Sequence, residues 1–203
     1  MTLARLLEQP PDPATFADGY LDYLSILLKG LDRPAIGTFI QSLLDARERR
    51  ARIFFIGNGG SAATASHFAN DVAIGTLNER PFQAISLCDN VPVLTAIAND
   101  HGYDQVFVIQ LKVLMQPGDV VVAISASGNS PNVVKALEYA NANGAVTFAL
   151  VGFDGGRMKE LAQHCVHVAT PKGEYGPVED LHMVLDHLVG SYLMRYARDR
   201  SKP

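Results

Sequence analysis

The sequence predicts an α/β protein, a three-layer, doubly wound sheet of about five parallel strands with an N-terminal helical hairpin ahead of it. Three observations predict this class. Five short runs, Ile53–Ile56, Ala84–Leu87, Val120–Ile124, Val146–Val151 and Cys165–Val168, are apolar almost throughout and of strand length. Helical stretches alternate with them. Strands with no polar face must be covered on both sides, and alternating helices do that for a parallel sheet.

In chain order, 14–50 comes first and is helical. Leu21, Leu24, Ile26, Leu27 and Leu28 make one apolar stripe, and Ile36, Phe39, Ile40, Leu43 and Leu44 make another. The Asp32-Arg33-Pro34 break separates them, with Pro34 suited to the first turn of the second helix. The hairpin can pack on its own domain or on another subunit. Helices are then expected over Ser61–Ile74, Val93–Ala98, Gln105–Met115, Asn132–Asn143 and Met158–Gln163, with Val178–Arg198 closing the chain. The segment 170–177 is expected to be a loop bordering the site. Residues 1–203 thus read as one domain, with helices over 1–50 and an α/β sandwich over 51–203, and no repeat.

Composition narrows the partners. The 203 residues are 48% hydrophobic and 19% charged, with net charge −4 and pI about 5.8. A nucleic-acid binder displaces counterions with a basic surface, and no such cluster occurs. Arg47, Arg49, Arg50 and Arg52 are interrupted by Glu48 and read as a solvated helix end. Cys88 and Cys165 sit far apart in apolar runs, as buried reduced thiols rather than a disulfide or a Cys-x-x-Cys metal site. The N-terminal apolar stretch is too short for a signal peptide and is broken by Pro10, Pro11 and Pro13. No apolar run approaches the ~20 residues of a membrane span. A soluble, cytoplasmic protein with no membrane or nucleic-acid partner is expected.

Two strand ends carry the chemistry. Gly57-Asn58-Gly59-Gly60-Ser61 follows the first strand, and Ser125-Ala126-Ser127-Gly128-Asn129-Ser130-Pro131 follows the third. Ligands bind at the carboxyl ends of strands in open α/β sheets. Glycine lets backbone approach a ligand, hydroxyls donate to phosphate oxygens, and free N–H groups at a helix start add positive potential. One such loop is equally well an ordinary turn with a helix cap. Two of them favour an anion site. Neither is followed by the Gly-Lys-Ser/Thr of a Walker loop, and the glycines miss the dinucleotide spacing, so a nucleotide is disfavoured.

On the predicted helices, His67 and Asp71 at i and i+4 lie about 40° apart, and Glu179 and His187 about 80° apart. From spacing alone, a His/Asp pair of this kind is most often a helix-surface contact. The two helices could also offer two imidazoles and two carboxylates, a reasonable set for zinc, although spacing by itself favours the surface contact.

The Gly-Asn-Gly-Gly-Ser loop followed by His67-Phe68-Ala69, the Ala96-Ile97-Ala98-Asn99-Asp100 stretch, and Ser125-Ala126-Ser127-Gly128-Asn129-Ser130 closely resemble the phosphoheptose isomerases of the sugar isomerase (SIS) superfamily. The resemblance spans nearly the whole chain. It implies a SIS-domain fold, a homotetramer with sites at subunit interfaces, and one divalent metal per subunit, usually zinc. It further implies that Asn58, Gly59 and Gly60 touch the sugar, with Asn99 and Asp100 beside them. Ser125, Ala126, Ser127 and Ser130 would hold the phosphate, with Ser61 near it. Asp71 would be base and ligand, His187 acid and ligand, and His67 and Glu179 the remaining ligands, with Glu179 also near the substrate. His182 is left as structural.

The chain departs from the family pattern in having Asp71 for Glu and Glu179 for Gln. It also lacks the Asp-Arg ahead of the last helix and an Arg near Gly75. The implied activity is conversion of sedoheptulose 7-phosphate to D-glycero-D-manno-heptose 7-phosphate through an enediol, feeding lipopolysaccharide heptose biosynthesis. The rivals are an isomerase of another phosphosugar and a noncatalytic regulator on the same scaffold, since some relatives of this type associate with the replication initiator protein.

Overall fold

The structure, a computed structural model, describes residues 2–8 and 12–199. Pro10 and Pro11 lie outside them. Helix α1 (Leu3–Glu8), which the sequence reading did not anticipate, precedes α2 (Pro13–Lys29) and α3 (Arg33–Arg49). Asp12 caps α2 by accepting from the Ala14 and Thr15 amides, and Asp32 caps α3 by accepting from the Ala35 amide at 3.0 Å. Pro13 and Pro34 sit in the first turns, where a missing N–H costs nothing.

The alternating part follows as β1 (Arg52–Gly57), α4 (Gly60–Ala73), β2 (Gln83–Ser86), α5 (Val91–His101), α6 (Val106–Leu114), β3 (Val120–Ser125), α7 (Pro131–Ala142), β4 (Val146–Val151), α8 (Gly156–Leu161), β5 (His164–His167) and α9 (Tyr175–Asp199). All five strands pair parallel in the order β2-β1-β3-β4-β5. Strand alternation divides the core. Ile53, Phe55, Val122, Ile124, Phe148 and Leu150 face α3, α4 and α9; Phe54, Ile56, Val121, Ala123 and Ala149 face α5, α6 and α7. The three-layer reading therefore holds.

Two details set the site. Strand order reverses between β1 and β3, which pair with Gly57 opposite Ile124, so the two Ser/Gly loops leave the sheet side by side. Phe68 is wholly buried, stacked on Phe55 at 4.9 Å and edge-on to Phe39 at 5.8 Å. Each such ring contributes about 1.5–3 kcal/mol by burial. That contact fixes the rotation of α4 about its axis and hence where His67, its neighbour, points.

The closing helix begins earlier than the sequence suggested. Tyr175–Pro177 form its first turn rather than the end of a loop, and Pro177 fits there because the first amides of a helix have no intrahelical partner. The helical hairpin anchors that turn. Buried Glu174 accepts from the Tyr23 hydroxyl and, at 2.9 Å, from the Leu3 amide, while the Tyr20 hydroxyl donates to Asp180 at 2.6 Å. Both cysteines are free. They are only partly buried, short of the full burial expected from their apolar runs, and burial pushes both thiols up. No helix among the described residues is long and apolar enough to cross a membrane.

Candidate active site

The loops after β1 and β3 enclose a cleft lined by Asn58, Ser61, Ser125, Ala126, Ser127, Ser130, Tyr175 and Glu179. A reciprocal amide pair joins the loops: Asn58 Nδ2 donates to Asn132 Oδ1 and Asn132 Nδ2 donates to Asn58 Oδ1, each at 2.9 Å. The Tyr103 hydroxyl adds a bond to Asn58 Oδ1 at 2.9 Å. Ser125 Oγ lies 3.4 Å from both Ser127 Oγ and Ser130 Oγ, so three hydroxyls converge.

Two helices begin at this cleft, and in neither does the N-cap residue's side chain bond the first amides, although Asn132 Oδ1 accepts from the Val133 amide at 3.1 Å. α4 starts from Gly59 at φ 53°, a conformation glycine adopts without strain, and α7 starts from Ser130. Uncapped helix starts with converging hydroxyls form a site for a phosphate-sized anion.

A second cluster lies between α4 and α9. His67 Nε2 is 3.3 Å from His187 Nε2, 3.5 Å from Asp71 Oδ2 and 3.8 Å from Asp186 Oδ2. One ligand atom from each of these four residues lies within 4.8 Å of every other, the one such group among the described residues. Tetrahedral zinc with bonds of ~2.0–2.2 Å places its ligand atoms about 3.3 Å apart. Two imidazoles and two carboxylates at these separations fit a divalent ion of that size. The histidines are exposed, whereas Asp186 is wholly buried and neither of its carboxylate oxygens has a hydrogen-bond partner. Burial, with the Asp71 charge adding and His187 opposing, pushes the Asp186 carboxyl up to about 7.

The two sites share a frame. Gly60 approaches Glu179, His67 approaches Asp186, and Asp71 approaches Gly190, a constant offset that makes α4 and α9 parallel neighbours in fixed register. At Gly60 a Cβ would fall 2.3 Å from Glu179 Oε2, so the glycine admits this carboxylate to the start of α4. Burial raises the Glu179 carboxyl above its ordinary range, and the neighbouring Asp180 charge adds to the effect.

The chain matches the SIS domain family over residues 19–152. It is 40% identical over 163 residues to the phosphoheptose isomerase of Citrifermentans bemidjiense, covering 80% of this chain and 84% of that one. It is 40% identical over 162 residues to that of Bordetella avium, covering 79% and 82%. The chain belongs to the phosphoheptose isomerase family. A solved phosphoheptose isomerase from Neisseria gonorrhoeae superposes with a TM-score of 0.78 at 30% identity, over 89% of this chain and 95% of that one.

Within this phosphoheptose isomerase fold, the residues singled out in the sequence fall into three groups. Asn58, Ser61, Ser125, Ala126, Ser127, Ser130 and Glu179 line the cleft; Gly59 and Gly60 do not line it but start α4, with Gly60 against the cleft residue Glu179. His67, Asp71 and His187 meet in the cluster; Glu179 is not among the groups that converge there. Asn99 and Asp100 are exposed at the end of α5, hydrogen-bonded to each other at 2.7 Å, and do not line the cleft.

Sequence reasoning passed over Asp186, Asn132 and Tyr103. Asp186 had a signal, an acid directly after the apolar Met183-Val184-Leu185 and one residue before His187, on the flank of the buried Leu181, Leu185 and Val189 stripe.

Proposed function

We propose that the protein is a metal-assisted sugar-phosphate isomerase converting sedoheptulose 7-phosphate to D-glycero-D-manno-heptose 7-phosphate. The observation that carries this reading is the placement of an anion cleft and a His/Asp cluster along one pair of parallel helices, in a member of the phosphoheptose isomerase family. Gly60 to His67 is a rise of about 10 Å along α4. An extended seven-carbon sugar spans that distance from its carbonyl end to its 7-phosphate. A phosphate held by Ser125, Ser127 and Ser130 therefore sets C1 and C2 beside the cluster.

The reaction moves a proton from C1 to C2. Asp71 takes the C1 proton while His187 protonates the C2 oxygen, giving the enediol. Asp71 then returns its proton to C2, and His187 recovers the one on O1 as the aldehyde forms. The Asp71 carboxylate has an oxygen for each task, since Oδ2 faces His67 and Oδ1 only accepts from Asn70 at 3.2 Å. A divalent ion, zinc by the character of the donors, held by His67, Asp71 and His187, would polarise the carbonyl oxygen. Asn58, Gly59 and Gly60 position the sugar, with Ser61 at the phosphate.

Assembly into a homotetramer with sites at subunit interfaces is supported by unpartnered apolar surface. Val184, Leu188 and Tyr192 are 40%, 43% and 52% exposed one turn apart along α9, beside the exposed His187. Asn99 and Asp100, outside their own cleft, are then free to reach the site of a neighbouring copy. A cytoplasmic role supplying heptose for surface lipopolysaccharide accompanies this reading.

Running the reaction in deuterium oxide tests the enediol route. The product should carry deuterium at C2, because a proton on Asp71 exchanges with solvent before it returns. Product that stays free of deuterium at C2 even after the mixture has been held at equilibrium through many turnovers would mean direct hydride transfer and overturn the route.

A further inference from the structure

We propose that Asp186, rather than Glu179, is the fourth protein ligand of the divalent ion, an inference that rests on the metal-assisted reading above. Asp186 is wholly buried, both of its carboxylate oxygens lack a hydrogen-bond partner, and Oδ2 points at His67 Nε2 from 3.8 Å. A buried carboxylate with nothing to accept is costly, and a cation shared with neighbouring donors removes that cost. Its ligand atom lies within 4.8 Å of those of His67, Asp71 and His187.

Glu179 is placed differently. It lines the serine cleft and rests against Gly60, two helical turns before the cluster, so its carboxylate serves the sugar. Charge agrees with this division. Two neutral imidazoles and the carboxylates of Asp71 and Asp186 neutralise a divalent ion, and Glu179 is left to accept from sugar hydroxyls in a cleft whose other polar groups are chiefly donors to phosphate.

The test is titration of the metal-free protein with zinc and with cobalt, by calorimetry and by the visible absorption of bound cobalt. Asp186→Asn should weaken binding about 100-fold or more and dim the intense absorption of four-coordinate cobalt; Glu179→Ala, which leaves no ligand atom at that position, should change affinity by less than about threefold. Thermal melts cover the possibility that Asp186→Asn folds poorly. Asp186→Leu should melt no lower than wild type without metal, because the unpartnered charge is gone, and should lose most of the rise that zinc gives wild type.

An unchanged zinc affinity in Asp186→Asn alongside a collapse in Glu179→Ala would overturn the assignment. So would an Asp186→Leu protein that melts lower yet gains the full zinc-induced rise. His67→Ala separates the two levels of the account. If it abolishes binding while Asp186→Asn does not, only the ligand assignment fails. If wild type binds neither ion, the metal-assisted reading fails with it.

Discussion

The cleft at the end of the sheet and the cluster between α4 and α9 are built by opposite means. In the cleft, backbone does the positioning: two helix starts, Gly59 in a left-handed conformation, and hydroxyls a few residues apart in sequence. In the cluster, side chains from two helices do it, and their meeting depends on the rotation and register of α4 against α9. The first site is local and suits a ligand group that must be held. The second is tertiary and suits groups that must move protons. On this account, damage to the cluster lowers kcat, and damage to the cleft raises KM.

The largest effect follows from the cluster. Asp71→Ala should lower kcat about 10³-fold with KM changed less than threefold, as steady-state kinetics would reveal. A variant that instead raised KM with kcat intact would erase the distinction between the regions.

Next is the buried side of α9 between them, where His182 lies three residues from Glu179 and four from Asp186. Burial pushes its imidazole down to about 4, with the Val151 carbonyl acting in the opposite sense. The unfolded chain takes up the proton near pH 6.5 and the folded one only near 4, so acid favours unfolding across that window. Wild type should lose about 3 kcal/mol from this group between pH 6.5 and 4, and His182→Leu should lack that part of the acid limb in denaturant titrations.

Tyr23→Phe leaves the buried Glu174 with one donor fewer, just ahead of the cleft residue Tyr175. Chemical denaturation should report a loss of about 2 kcal/mol, with kcat unchanged. Smallest is Ser130→Ala, which should raise KM about tenfold and weaken inhibition by inorganic phosphate equally. A fall in kcat alone there would place the phosphate elsewhere.

The same contrast explains what could be read from the sequence. Ile53–Ile56 and Val120–Ile124 announce buried parallel strands because an apolar residue at every position has no other stable use. Ser125, Ser127 and Ser130 were legible because their neighbours in sequence are their neighbours in space. His67 and Asp71 were legible for the same reason, being one turn apart. Asp186 was not, because its role depends on facing His67 across two packed helices. Spacing along α9 relates Glu179 and Asp186 to His187 but does not say which of them faces His67 on α4. The early start of α9 was hidden by Gly176 and Pro177, which read as loop until the Tyr23–Glu174 contact fixes the turn before them.

The decisive measurement is turnover of sedoheptulose 7-phosphate by the purified protein, stripped of metal and then reloaded with zinc. A mannoheptose 7-phosphate should form only with the zinc-loaded protein, and about 10³-fold more slowly when Asp71→Ala is loaded in the same way. Folded, zinc-loaded wild type that leaves the substrate untouched would contradict the isomerase reading.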